Sequence, residues 1–294
     1  MQKAINLKTP GKINLFLNIK EKLKNEYHSI ETIFLPTADI QDEITIFFTE
    51  NNEITIQSLS ENIPLDKTNL CHKAASAYSE FTGIKPNWII EIKKNIPVTA
   101  GMGGGSSDAA AVLRILQYKY NKLNDSELLL LAAKLGADIP FFLNPYPSAA
   151  TGIGEKLIKI NINFPYWVVI LAPLFPVSAK WAYENIKKQT LKPTFNETIE
   201  ALQTGSFDII VKTVFNELEF ALYEKFPILN ILKNEMNSIG LNAVTISGSG
   251  PTLFGLCKTE FEAKNAIHFL KQKYQHLMVS STHIAASVNK LSYI

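Results

Sequence analysis

The amino-acid sequence predicts an α+β chain in two halves, and three observations carry that expectation. Short runs rich in β-branched residues alternate with segments of helical spacing. A polar, proline-bearing passage at 144–148 loosens the pattern and places a boundary near 150 to 165. The chain has 294 residues, 46% of them hydrophobic and 19% charged, enough to bury the core of one large domain or two ordinary ones. The expected division is 1–158 and 159–294, and no internal repeat is visible.

The first half opens on strand-like runs at 13–19, 30–35, 43–48 and 53–57, each with β-branched residues and alternation. Residues 66–82 read as a helix ended by Gly83, and 88–92 as a strand. A glycine-rich stretch leads into a helix from about 107 to 120. Asp125 and Ser126 offer N-caps for a helix at 127–135, closed by Gly136. In the second half, 167–172, 243–247, 252–257 and 281–286 read as strands. Helices are expected at 181–188, 207–214, 227–239 and 260–274.

Several function classes are disfavoured by composition. The net charge is +2 and Arg114 is the sole arginine. Guanidinium forks carry much phosphate and base-edge recognition, so nucleic acid is not the expected partner. Polyphosphate must instead be held by lysines, backbone amides and a metal. Cys71 and Cys257 stand far apart with no Cys/His cluster, which predicts neither a disulfide framework nor a zinc site and fits a reducing cytoplasm. The first 25 residues hold no uninterrupted signal-type apolar core. The most apolar stretch, 166–177, contains Pro173 and Pro176 and falls short of the roughly 20 residues a membrane span needs.

The strongest chemical signal is PVTAGMGGGSSDAAAVL, residues 97–113. Gly101, Gly103, Gly104 and Gly105 let backbone approach a ligand closely, just where a helix begins. Free N–H groups at that terminus, with Ser106 and Ser107, make an anion site suited to a triphosphate. Ser107 is either a hydroxyl ligand for Mg²⁺ or an N-cap. A Walker A loop needs a Gly-Lys-Ser/Thr ending, and no lysine lies between Pro97 and Arg114. A Rossmann fingerprint starts directly after its strand, whereas residues 93–100 intervene here.

This loop resembles the phosphate loop of the GHMP kinases, P-x-x-x-G-L-G-G/S-S-S-x-A-A. It is most similar to the branch carrying GLGGGSSDAA, with Met102 in place of leucine. That branch acts on 4-diphosphocytidyl-2-C-methyl-D-erythritol in non-mevalonate isoprenoid synthesis. Other segments follow in the family's order: PGKINLFLNI (PAKINLFL), NEYHSIETIF (DGYHxLxTxF), LGADIPFFL, GIGEKL and ISGSGPTLF (TGSGSxxF). The resemblance implies a two-domain GHMP kinase fold: a first half like ribosomal protein S5 domain 2 and a ferredoxin-like second half. ATP and Mg²⁺ are the implied cofactors, and the substrate's 2-hydroxyl is the implied acceptor.

The resemblance also implies roles for individual residues. Lys12 and Asp138 match the family's catalytic pair. On their own terms, Asp138 sits between a helix end and Pro140, and Lys12 begins an otherwise apolar strand, so structural readings stand beside the catalytic ones. The expected ATP loop comprises Pro97, Val98, Thr99, Ala100, Gly101, Met102, Gly103, Gly104, Gly105, Ser106 and Ser107. Lys94 either contacts ATP or is a solvated charge beside Lys93. Asn69 either faces the nucleotide or caps a helix. Asn14, Tyr27, His28 and Tyr183 are the implied substrate residues, with Trp181 competing for the role of Tyr183. Two positions depart from the family pattern: Ala179, where threonine is common, and Gly11, where alanine is usual. Another GHMP kinase, or a silent ligand sensor of that fold, is the rival reading. The presence of Tyr27-His28 and GADIPFF disfavours the first, and that of Lys12 with Asp138 the second.

Overall fold

The computed structural model of the chain describes residues 4–23, 27–60, 62–285 and 291–293. Asn25 and Glu26 of the NEYHSIETIF segment, and Ala286 at the end of the last predicted strand, lie outside the described residues.

Two long strands make the spine: β1 (Ala4–Lys22) and β2 (His28–Phe48), paired antiparallel from Ala4↔Phe47 to Lys22↔His28. The sequence splits β2 into runs at 30–35 and 43–48. The structure joins them, because the polar residues between keep their pairing with β1 at Pro36↔Lys12 and Asp42↔Thr9. The register shifts between Pro10 and Lys12 and again between Asn14 and Phe16. Such irregularities re-aim side chains, and here they bracket the segment that carries Lys12 and Asn14.

Next come β3 (Ile54–Ser58), α1 (Leu70–Thr82), β4 (Trp88–Lys93), α2 (Gly104–Tyr120), α3 (Asp125–Leu135) and α4 (Ile139–Leu143). The hairpin β5 (Ser148–Thr151) and β6 (Lys156–Lys159) closes this part, and position 158/159 falls inside β6. α1 starts later than its sequence pattern, because Asp66 Oδ1 accepts from Thr68 N (2.8 Å) and folds a turn ahead of the cap. α2 starts earlier, at Gly104. The cap of α3 is Asn124, not Asp125 or Ser126: its side chain accepts from Glu127 N while Glu127 Oε2 accepts from Asn124 N, each at 2.9 Å.

The remaining elements are β7 (Trp167–Ala172), α5 (Ala179–Glu184), α6 (Phe195–Thr204), α7 (Phe207–Thr213), β8 (Phe215–Asn216) and α8 (Glu219–Lys225). They continue with α9 (Pro227–Ser238), β9 (Asn242–Ile246), β10 (Leu253–Cys257), α10 (Glu260–Lys273), β11 (Met278–Thr282) and β12 (Ser292–Tyr293). α6 is not among the helices expected from the sequence pattern, although Thr194 and Glu197 spell a capping box at its start.

Among the described residues the first sheet runs β12-β1-β2-β4-β3, with the β5–β6 hairpin on β2 and β8 parallel to β1. The second is antiparallel, β11-β7-β10-β9. Its order, with α9 before β9 and α10 before β11, is the ferredoxin-like arrangement. Residues from the second half thus enter the first sheet twice, at β8 and β12. One core lies between the first sheet and its helices, with Ile5, Leu7, Trp88 and Ile90 against Val112, Leu113 and Leu116. A second joins the two sheets: Ile13, Leu15, Phe16 and Leu35 meet Val168, Ile170, Phe254 and Leu256. Lys12 and Asn14 flank Ile13, so this seam holds them rigidly from below. Among the described residues no helix is long and apolar enough to cross a membrane.

Candidate active site

A cleft of about 650 Å³ draws walls from β1, the glycine loop, the start of α4, α5 and the turn after β9. The loop is held from two sides. Lys12 N donates to Met102 O (2.9 Å), and Ser247 Oγ donates to Gly101 O (3.1 Å). Gly101 has φ +79°, and a Cβ there would lie 2.2 Å from Ser247 O, so only glycine lets the two loops touch. Gly103 has φ +71° and would meet the Phe142 ring at 2.8 Å. Because α2 begins at Gly104, the free amides of its first turn belong to the glycines themselves. Gly103 and Ser106 face the cleft, Val98 and Thr99 stand exposed on the loop, and Pro97 is half-buried. Ala100 and Met102 are buried beneath it.

Met102 also accounts for Gly11. A Cβ on Gly11 would lie 3.3 Å from the Met102 methyl. Met102, which stands where the family has leucine, and Gly11 therefore touch, the longer side chain occupying space that an alanine would crowd.

Lys12 is 4% exposed. Its Nζ donates to Asn14 Oδ1 (2.5 Å), lies 3.7 Å from Asp138 Oδ2 and stands 5.2 Å above the Phe34 ring centroid. Burial pulls its pKa below the ordinary lysine value, and Asp138 pulls it part of the way back. Asn14 is fixed in turn: its Nδ2 donates to Thr32 Oγ1 (2.9 Å), which donates to Phe16 O (2.6 Å). Asp138 precedes α4 but makes no capping bond, and its carboxylate is about one-third exposed on the cleft. A carboxylate that could cap and does not is directed elsewhere, here toward Lys12.

At the mouth, Tyr27 is 58% exposed, and the His28 and Tyr183 rings stack with centroids 5.8 Å apart and planes 21° apart. A flat ring inserted between two others needs about twice the ~3.5 Å contact distance. His28 and Tyr183 thus form one continuous wall rather than two sides of a slot, with Tyr27 beside it. Burial, then the charge of Asp138, raises the Tyr183 phenol well above its usual value. Trp181 points away: Lys225 Nζ sits 3.7 Å over its ring, and Phe226 packs on it edge-on at 6.3 Å. The methyl of Ala179 lines the cleft where threonine is common in the family pattern.

Three expectations are corrected. Ser107 is fully buried; its Oγ donates to Pro10 O (2.6 Å) and meets Thr9 Oγ1 at 2.6 Å, so its hydroxyl is not available to a metal. Asn69 caps α1, accepting from Cys71 N (2.8 Å) and donating to Pro64 O (2.6 Å), which engages both ends of its amide. Lys94 is neither solvated nor open to the cleft: its ammonium is buried between Asp42 and Asp108. The sequence carried little sign of this, since Asp42 lies more than 50 positions before Lys94 and comes beside it only through the β2–β4 pairing.

The cleft, its glycine loop and the paired sheets define a kinase of GHMP architecture. The family model "GHMP kinases N terminal domain" matches residues 69–144, and "GHMP kinases C terminal" matches 198–276. The 4-diphosphocytidyl-2-C-methyl-D-erythritol kinase of Syntrophotalea carbinolica is 35% identical over 265 residues, 90% of this chain and 93% of the relative. That of Geobacillus sp. (strain WCH70) is 38% identical over 252 residues, 85% and 87% of the two chains. A crystal structure of 4-(cytidine 5'-diphospho)-2C-methyl-D-erythritol kinase is 30% identical with a TM-score of 0.79, over 95% of this chain and 100% of that one. The chain belongs to the 4-diphosphocytidyl-2-C-methyl-D-erythritol kinase family. A homoserine kinase structure from Cytophaga hutchinsonii, 17% identical with a TM-score of 0.75 over 100% of this chain and 98% of that one, shares the fold.

Proposed function

We propose that this chain transfers the γ-phosphoryl group of MgATP to the 2-hydroxyl of 4-diphosphocytidyl-2-C-methyl-D-erythritol. The observation that carries the reading is the Lys12–Asp138 pair, 3.7 Å apart on the floor of a cleft walled by the glycine loop. Asp138 accepts the proton of the attacking hydroxyl. Lys12, held by Asn14, places a cation beside the developing charge without reorganising. The amides of Gly103, Gly104 and Gly105 cradle phosphate at the start of α2, with the Ser106 hydroxyl next to them. Mg²⁺ is read as arriving on the nucleotide: among the described residues no group of three or more His, Cys, Asp or Glu could hold an ion. Mg²⁺ commonly keeps phosphate oxygens and waters as its ligands, and neutralises their charge.

The base of the substrate is read as lying on the Tyr27, His28 and Tyr183 wall, far from the reacting hydroxyl. Purified protein incubated with ATP, Mg²⁺ and a panel of alcohols should give ADP and a phosphorylated product with the diphosphocytidyl compound. No turnover of that compound, or faster turnover of mevalonate or homoserine, would reject the substrate assignment.

A further inference from the structure

Beneath the glycine loop lies a charged cluster that the reaction itself does not use. Lys94 Nζ donates to Asp42 Oδ2 and to Asp108 Oδ2, the latter at 2.7 Å. The side chains of Lys94, Asp42 and Asp108 are 7%, 0% and 5% exposed. Each comes from a different part of the fold: Asp42 from β2, Lys94 from the end of the stem after β4, and Asp108 from the second turn of α2. Asp42 Oδ1 also accepts from Asn95 N (2.6 Å) and Ile96 N (2.8 Å), so it carries the peptides that lead into the loop. A Cβ added to Gly104 would stand 3.2 Å from Lys94 Nζ, which puts the ammonium directly against the first residue of α2. One cation therefore spans the entrance of the loop and the helix at its exit.

We propose that Asp42, Lys94 and Asp108 are positioning residues that set the glycine loop against the triphosphate, and that they do so as a neutral cluster in which Asp108 carries a proton. This rests on the reading that the loop binds nucleotide. Three fully ionised groups would leave a net negative charge buried under an anion site, opposing both folding and phosphate binding. Asp108 Oδ1 is buried with no hydrogen-bond partner, a costly place for a carboxylate oxygen. Burial raises the Asp108 carboxyl, Lys94 draws it back and Asp42 pushes it up again, leaving it at about 8. Cys71 on α1 also faces the cluster, and burial, with Asp108 next, raises its thiol. Ion pairs of this kind are poor sources of stability but good sources of register, and register is what a phosphate cradle needs.

The test compares Asp108→Asn with Asp108→Ala in the full chain, measuring ATP affinity by calorimetry, then KM for each substrate, kcat and Tm. An amide mimics the protonated acid, so Asp108→Asn should keep KM for ATP within about threefold of wild type. Asp108→Ala should raise KM for ATP about tenfold or more, while KM for the alcohol stays unchanged, because a small misplacement is costly at the loop it displaces. An Asp108→Ala enzyme with unaltered KM for ATP overturns the proposal, as does a loss shared by both substrates in step with Tm. An Asp108→Asn enzyme as damaged as Asp108→Ala overturns the protonated Asp108. Should Asp108→Ala fail to fold, Gly104→Ala gives a second reading, since its methyl faces Ile96 and Lys94 and removes no charge. It should raise KM for ATP several-fold, roughly, and an unchanged KM counts against the triad. Wild type that fails to bind ATP rejects the kinase reading; wild type that binds ATP beside unaffected variants rejects the triad alone.

Discussion

The floor and the mouth of the cleft are built on opposite principles. Lys12 and Asn14 lie on the interior strand β1, nearly without solvent exposure, and each polar side chain is held by another group: Lys12 by Asn14, Asn14 by Thr32, Thr32 by the Phe16 carbonyl. Tyr27 stands in solvent, and Tyr183 belongs to the six-residue helix α5, followed by irregular chain. Fixed dipoles act on charge that develops during a reaction only if they need not reorganise, which calls for the seam between the sheets. Recognition of a base asks instead for broad faces that can be reached. The contrast assigns chemistry to the rigid part and affinity to the accessible part.

Substitutions on the floor should therefore act on kcat, those at the mouth on kcat/KM. The largest effect is expected for Asp138→Asn, which keeps shape but loses the base: kcat should fall by on the order of 10²-fold or more. Near-normal turnover would remove Asp138 from the chemistry. Lys12→Met should lower kcat by a comparable factor, on the order of 10²-fold. If it altered only the KM values, Lys12 would be a binding residue and the floor no different in kind from the mouth.

At the mouth, base-aromatic stacking contributes roughly 1–3 kcal/mol, so Tyr27→Ala should lower kcat/KM for the diphosphocytidyl substrate by about one to two orders of magnitude. The same variant should treat 2-C-methylerythritol 4-phosphate, which lacks the base, as wild type does. Equal loss on both compounds would mean that Tyr27 shapes the protein, not base recognition.

Gly105→Ala separates loop from helix. Gly105 is exposed with nothing within 4 Å of an added Cβ, so the change should stabilise the chain by up to about 1 kcal/mol through helix propensity. It should also weaken ATP binding roughly tenfold by crowding the amides that cradle phosphate. Calorimetry showing unaltered ATP affinity would move the cradle elsewhere. The smallest effect is expected at Trp181, which packs on Phe226 under Lys225: Trp181→Ala should leave kcat/KM within about twofold of wild type, whereas Tyr183→Ala should not. Reversal of that order would return the stacking role to Trp181.

Much of this was legible in order along the chain. Glycines before a run of small helix formers announce an anion-binding helix start whatever surrounds them, because backbone freedom and free amides are local properties. The capping signals at Asn69 and Gly83 are local too, and α1 runs between them. Lys12 and Asp138 stand out in the sequence as a charge entering an apolar strand and an acid between a helix end and a proline. Their 3.7 Å separation is not legible, since β1 and α4 meet only when the sheet folds under its helices.

What the tertiary structure alone decided is which polar groups are spent on the fold and which remain for a ligand. Ser107 and Lys94 carry the same letters as residues that bind phosphate or metal, yet each finds its partner inside the protein: the Pro10 carbonyl for Ser107, the side chains of Asp42 and Asp108 for Lys94. Those partners lie up to 97 positions away and come within reach through strand pairing and helix packing. Residue type and spacing determine what a side chain can do. Hydrogen-bond satisfaction in the folded chain, a property of the whole packing, determines whether it is free to do it.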